Sequence, residues 1–109
     1  MKKVNIIKKS DTINDVINNG NRAKNKYFYI YYKERENSKY KIAICVSKKI
    51  GNAVNRNKVK RQIKDILDKS NLIFKTNTDY VIIVSKEINK INYKEKEENI
   101  IKLISKILD

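Results

Sequence analysis

The sequence predicts a single domain of the α+β class, an α-β-β-α-β-α sandwich in which helices pack on a mostly antiparallel sheet. Apolar residues recur at helical spacing in three segments, and they alternate or run together in three others. The 109 residues suffice for one core and not for a second sizeable domain. No internal repeat and no proline- or glycine-rich linker divides them. Residues 1–109 are therefore interpreted as one domain.

The first half of the chain predicts a short helix and two strands. Apolar residues at helical spacing indicate a helix over 10–19, with Ser10 as its N-cap and Gly20 following its last turn. Apolar and polar residues alternate over 27–33 and again over 40–47, which is typical of strands. The polar turn between these two segments predicts that they pair as an antiparallel hairpin.

A long helix and an apolar strand follow. Residues 53–69 predict a helix that Asn52 caps, and its buried stripe is expected to be Val59, Ile63, Ile66 and Leu67. Residues 79–85 form a continuous apolar run, which favours a strand that is buried on both faces or central in the sheet.

The last predicted element is a helix over 93–108. It opens with a capping box formed by Asn92 and Glu95. Its apolar face is expected to contain Ile100, Ile101, Ile104, Ile107 and Leu108. The sequence also allows a short additional strand at residues 4–7.

The residue inventory excludes several kinds of chemistry. The chain has no histidine, so His-based acid–base catalysis and Ser-His or Cys-His nucleophiles are absent. One cysteine, Cys45, cannot form an intramolecular disulfide, and two glycines cannot build a P-loop. No apolar run is long enough to span a bilayer, and no signal-peptide core follows Met1. We expect a cytoplasmic protein with no membrane partner.

The positive charge is concentrated in one part of the chain. The net charge is +14, and residues 37–64 carry nine Lys and Arg without a single acid. Residues 65–109 carry eight basic and eight acidic side chains and are neutral. A general enrichment in lysine adds cations everywhere, but it does not remove acids from one segment. This distribution predicts one strongly positive face and a polyanionic partner.

The centre of the basic segment reads KKIGNAVNRNKVKR, from Lys48 to Arg61. Gly51 is expected to turn the chain, and Asn52 to begin the helix. Cations in the first turns of a helix oppose its dipole unless an anion lies there, and free amides at a helix start bind phosphate. A solvated helix face is the alternative, although the segment contains no acid for helical ion pairs. The pattern therefore favours docking of a phosphodiester backbone.

This segment resembles the signature of the protein subunit of bacterial ribonuclease P, SKK-(I/V)-GNAV-x-RNR-x-KR. The matching positions are Ser47, Lys48, Lys49, Gly51, Asn52, Ala53, Val54, Arg56, Asn57, Lys60 and Arg61. The resemblance extends to the early helix, to an aromatic strand at Phe28 and Tyr31, and to the strand after Asp79. Lys58 replaces the last arginine of the triplet and lacks its bidentate fork. Ile13 and Ile17 replace two phenylalanines and cannot stack on a base.

The resemblance implies a ribonucleoprotein endonuclease that removes the 5′ leader of precursor tRNA. Its RNA subunit, with bound Mg²⁺, would cleave the phosphodiester, and this chain would be an accessory subunit without catalytic residues. No cofactor or metal held by the protein is expected, and acids are missing where Mg²⁺ would need them. The expected partners are the catalytic RNA and the precursor's leader, with no obligate protein partner. The family also implies a left-handed β-α-β crossover at the basic helix, against the general rule.

Two binding surfaces follow from the resemblance. The catalytic RNA is expected to contact Lys48, Lys49, Asn52, Arg56, Asn57, Lys58 and Arg61. A cleft between the first helix and the sheet is expected to hold the single-stranded leader, with a floor of Tyr27, Tyr29 and Tyr31. The full cleft set is Ile13, Ile17, Tyr29, Tyr31, Cys45, Ser47, Lys60 and Lys64. Base stacking tolerates any sequence, which suits many different leaders. Sheet packing is the alternative role of Tyr29, and Tyr31, at a family position, is the stronger candidate.

Three alternative functions agree less well with the sequence. A general structured-RNA binder of the ribosomal type would share the charge but has no reason to carry the ordered signature. A DNA-binding regulator would place helix 53–69 in the major groove, but the chain lacks a preceding helix at helix-turn-helix spacing. The third alternative is an independent protein nuclease, and this chain lacks the side chains that such a nuclease would need.

Overall fold

The computed structural model describes residues 6–7, 9–36 and 39–108, which form three helices and a four-stranded sheet. The elements in chain order are α1 Ser10–Asn19, β1 Asn21–Lys24, β2 Phe28–Glu34, β3 Lys41–Val46, α2 Ala53–Lys69, β4 Thr78–Val84 and α3 Tyr93–Leu108. A 3₁₀ turn at Lys48–Ile50 precedes α2, and another at Lys86–Lys90 precedes α3. The predicted α+β class is confirmed.

The sheet runs in the order β1-β2-β4-β3. β2 pairs antiparallel with β1 and with β4, whereas β3 pairs parallel with β4. The expected hairpin of β2 and β3 is therefore wrong, because β4 lies between them. β4 is apolar on both faces and is almost entirely buried, so it belongs where it has a neighbour on each side. A short connection from β2 to β3 still suffices, since two strand spacings are only about 10 Å.

The sheet separates two apolar clusters. On one face, α2 and α3 pack on a large cluster that includes Phe28, Ile63 and Ile104. On the other face, α1 inserts Val16, which is fully buried, against Ala43 and Val81. Helices therefore cover both faces of the sheet, where the sequence predicted a single core. Among the residues that the structure describes, α1 is the only helix that packs on this second face.

The helix predictions are confirmed closely. α2 and α3 have the expected limits, and the stripe of α2 (Val59, Ile63, Ile66 and Leu67) is buried. The Asn55 amide donates to the Asn52 side chain over 2.9 Å. Asn92 and Glu95 exchange the two hydrogen bonds of the predicted capping box. On α3, Leu103 and even Lys96 are buried in addition to Ile100 and Ile104, while Ile101, Ile107 and Leu108 are only partly buried.

Three local details differ from expectation. Strand β1 has the sequence NRAK, which carries no alternating apolar pattern because it is an exposed edge strand. Lys9, not Ser10, occupies the cap position of α1, and no side chain caps that end. Gly20 ends α1 with an extended backbone; a Cβ there would lie 2.5 Å from the Val16 carbonyl oxygen and 2.6 Å from that of Tyr32. This position requires glycine because two backbone carbonyl groups approach it closely, and not because its backbone is left-handed.

Two residues that precede α1 pair with the edge strand β3. Ile6 forms a parallel bridge with Ile42, and the Ile7 amide donates to the Ile42 carbonyl. Residues 4 and 5 of the additional strand expected at 4–7 lie outside the described residues.

The predicted β-α-β unit is present as β3, α2 and β4, and the hand of this crossover stays a prediction. In the part of the chain that the structure describes, no helix has the length and apolarity needed to cross a membrane.

Candidate nucleic-acid interface

A glycine turn presents the start of α2 to solvent. Gly51 has φ 155° and ψ −166°, a conformation that side-chain-bearing residues rarely adopt. A Cβ there would also lie 2.7 Å from the Asn55 side-chain nitrogen. The turn sends the chain from the 3₁₀ turn directly into α2, which begins at Ala53. The signature glycine is therefore required by the backbone itself.

Two asparagines that the sequence analysis did not single out fasten this turn. The Asn55 side chain donates to the Ile50 carbonyl over 3.2 Å and to the Asn89 side-chain oxygen over 3.3 Å. The Asn89 side chain donates to the same carbonyl over 2.7 Å. Asn89 lies in the 3₁₀ turn before α3, so no short-range pattern could have revealed it. Together they hold the start of α2 against the rest of the domain.

The predicted cationic residues form one exposed surface. We define the α2 surface as the exposed residues Lys48, Lys49, Asn52, Asn57, Lys58, Lys60, Arg61 and Lys64. None of its cations forms an ion pair with any residue that the structure describes. Arg56 is different: it is half-buried, and its Nε is buried without a hydrogen-bond partner among those residues. Val54 stands exposed amid these cations, with 76 % of its surface accessible.

On the α1 face, the sheet leaves a row of side chains partly uncovered. Tyr29 pairs with Ile83, which pairs with Cys45, and all three are half-buried. We call these three residues the open strip. In the next row, Val81 and Ala43 are buried beneath α1. The strip crosses β2, β4 and β3, a span of about 10 Å.

Ile13 and Ile17 of α1 pack on the same apolar cluster as Cys45 and Ile83 of the strip, and their place as a wall of the leader cleft stays a prediction. Both pack on the cluster that contains Val16, and Tyr31 packs there too. Tyr29 belongs to neither apolar cluster, so its ring is the less engaged of the two tyrosines. Tyr27 precedes β2 and packs on the opposite cluster, so its predicted place in the cleft floor is wrong. Because Tyr27 lies outside β2, the alternation of side chains along that strand does not determine which face of the sheet Tyr27 contacts.

A charged network fastens α1 at the row of Lys33 and Asp79, two rows along the sheet from the open strip. Asp15 accepts a 2.8 Å hydrogen bond from Lys33 and pairs with Arg35. Arg35 also pairs with the buried Asp79 over 2.6 Å. The hydrogen bond from Lys33, with another from Asn19, lowers the pKa of Asp15 from 3.8 to about 2. α1 is thus held to β2 by charge as well as by Val16.

The α2 surface and the open strip adjoin at Cys45. Burial raises the pKa of the Cys45 thiol, and the positive charge of Lys60 opposes that rise. α2 packs against β3, the strand that carries Cys45. At the end of β3, Ser47 is exposed. Sequence reasoning missed Ile83 and Lys24, which lies opposite Tyr29 on β1. Strand register identifies both, and register depends on a strand order that was predicted incorrectly.

The structure thus brings together most residues predicted for each surface, with Arg56 partly withdrawn and Lys58 on the flank that faces α3. Within residues 6–7, 9–36 and 39–108, no three His, Cys, Asp or Glu side chains gather as a metal site would require. The contacts that these residues would make with RNA stay predictions.

The chain is a small basic α+β domain with a cationic helix surface next to a partly uncovered sheet face, and these features are typical of proteins that bind nucleic acids. The chain belongs to the family of ribonuclease P protein components, since the family model "Ribonuclease P" matches residues 1–108. It is 44 % identical over 108 residues to the ribonuclease P protein component of Mycoplasma mycoides, covering 98 % of this chain and 99 % of the relative. The protein component of Streptococcus agalactiae is 35 % identical over 104 residues, covering 95 % and 94 %.

Solved structures agree with this assignment. The Staphylococcus aureus RNase P protein superimposes with a TM-score of 0.82 at 26 % identity, covering 94 % of each chain. The Thermotoga maritima RNase P protein shares the fold, with a TM-score of 0.79 at 20 % identity, over 90 % of this chain and 93 % of that one. Family membership assigns the chain to bacterial tRNA processing by ribonuclease P and sets aside the ribosomal-type and DNA-binding alternatives.

Proposed function

We propose that this chain binds the ribonuclease P RNA through the α2 surface and the 5′ leader of precursor tRNA through the open strip. The RNA, with Mg²⁺ that it binds itself, carries out the cleavage. The observation that carries the proposal is the adjacency of an acid-free cationic helix surface and a partly uncovered row that contains Tyr29, since α2 packs against β3 at the edge of the sheet. The cationic α2 surface is suited to the phosphate backbone of a folded RNA, and the open strip is suited to unpaired bases.

The chemistry of the α2 surface supports an RNA partner. Its groups are ammonium, guanidinium and amide groups, all of which donate to phosphate oxygens. The start of α2 adds the positive end of a 17-residue helix to them. Unpaired cations release condensed counterions when they meet an RNA backbone, which favours binding at moderate salt. The ammonium and guanidinium groups repel a bare metal cation, so we assign Mg²⁺ to the RNA.

The open strip supports a single-stranded partner. Tyr29 offers an aromatic face for stacking, and Ile83 extends the apolar floor next to it. Lys24 at one end and Lys60 near the other provide charge for the backbone of a strand that crosses the sheet. None of these contacts distinguishes between bases, because stacking and charge are tolerant of sequence.

Reconstitution with the matching RNA tests this proposal. Precursor-tRNA cleavage is measured at low Mg²⁺ with RNA alone, with protein alone and with both. We expect cleavage by the combined sample to exceed that by RNA alone, and we expect none by the protein. Cleavage by repurified protein alone, or no effect of adding the protein, contradicts the proposal.

A further inference from the structure

A polar cavity of about 330 Å³ lies between α2 and the start of α3. The residues that matter here are Lys58 and Gln62 from α2, and Asn92, Tyr93 and Lys96 from the beginning of α3. No carboxylate lines it within the described residues. It lies on the flank of α2 that faces away from the open strip, and the family signature covers only Lys58.

Lys96 is the unusual residue of this cavity. Only 8 % of its surface is exposed, although lysine is rarely buried without a counter-charge. Its ammonium donates to the Gln62 side-chain oxygen over 2.8 Å, a neutral partner that cannot balance the charge. Neither Lys96 nor Lys58 forms an ion pair with any described residue. Burial lowers the pKa of Lys96, and the charge of Lys58 lowers it further.

We propose that the cavity between α2 and α3 is a binding site for one phosphate group, held by Lys58 and Lys96. A phosphate oxyanion would neutralise two cations that now repel each other, and it fits easily in the available space. The start of α3 faces the cavity at Asn92 and Tyr93, so the helix dipole favours an anion in the same place. The ligand is either free phosphate or one phosphate of an RNA backbone, and the two have the same chemistry at this site.

Titration of the full chain with inorganic phosphate, at constant ionic strength, tests the site directly. We expect saturable shifts of the Lys58, Tyr93 and Lys96 amide resonances, and about tenfold weaker binding in Lys96→Gln, because a charge-assisted contact is lost. Lys102→Gln removes the same charge from an exposed position of α3 and should leave phosphate binding unchanged. Should Lys96→Gln fail to fold, Lys58→Gln at an exposed position provides the same comparison. No saturable shift, or equal binding by all variants, overturns the proposal.

A second titration distinguishes the two sources of phosphate. With ribonuclease P RNA, Lys96→Gln should reduce the slope of log K against log salt by about 0.7–0.9 if the site holds a backbone phosphate. An unchanged slope, together with phosphate binding that depends on Lys96, assigns the site to free phosphate. The Tyr93 and Lys96 amides lie outside the α2 surface, so the absence of their shifts would leave the α2 surface and the open strip as proposed. If the α2 surface does not bind RNA, a Lys60 variant should instead bind RNA with normal affinity.

Discussion

Replacing Tyr29 by alanine removes the one aromatic ring of the open strip that neither apolar cluster uses. Stacking on an aromatic side chain contributes about 1–3 kcal/mol per base. Loss of one stacked base should therefore weaken precursor binding by about 5- to 150-fold. Mature tRNA has no leader, so its affinity should not change. Because the ring is half-buried at most, the variant should remain folded.

The assay is equilibrium binding by the reconstituted holoenzyme, with a precursor whose scissile linkage is blocked and with mature tRNA. Tyr29→Phe is the matched control, because it keeps the ring and removes only the hydroxyl. Its precursor affinity should stay close to that of the wild type.

Two results would refute this interpretation of Tyr29. Equal weakening of precursor and mature tRNA would show that Tyr29 acts through the fold or through the catalytic RNA. A phenylalanine variant as weak as the alanine variant would show that stacking is not the interaction. Tyr31→Ala provides a contrast, since Tyr31 packs with α1 and its loss should lower the melting temperature more.

Three further predictions address charge and packing. Lys60→Gln should reduce the slope of log K against log salt for RNA binding by about 0.7–0.9, and Lys102→Gln should leave it unchanged; equal slopes would place Lys60 outside the interface. The pKa of Asp15 is lowered to about 2, so its stabilising contribution is complete above its unfolded value and is lost as pH falls from about 4 towards 2. Melting temperatures should fall over that range in the wild type and much less in Asp15→Asn; parallel curves would show that Lys33 is not an effective partner. Gly20→Ala forces a Cβ against two carbonyl oxygens and should destabilise the fold by about 1–3 kcal/mol in denaturant unfolding, whereas unchanged stability would mean that α1 can shift freely.

Local signals predicted most of the helical structure. Apolar spacing and the caps at Asn52 and Asn92 gave the correct limits for α2 and α3, because these signals lie within a few residues of each element. Strand order was not predictable in the same way. A polar turn between two alternating segments is typical of a hairpin, and only the burial of β4 on both faces decides that it enters between them. Pairing between distant strands is decided by the whole core.

The same contrast between local signals and long-range pairing applies to the candidate site. The signature from Lys48 to Arg61 predicted the exposed cations, since they lie on α2 and on the short turn just before it. The open strip required the register of three strands, so Ile83 was missed although Cys45 and Tyr29 were included. Lys96 gave no signal at all, because a lysine in the first turns of an amphipathic helix is normally exposed. Its burial follows from the packing of α3 against α2.

Precursor affinity measured against leader length tests most directly whether the protein is an RNA-binding adaptor. With the ribonuclease P RNA alone, affinity should depend little on the leader. With the protein added, affinity should rise over the first few leader nucleotides and then level off, because the open strip spans only about 10 Å. A dependence on leader length that is identical with and without the protein would contradict the account.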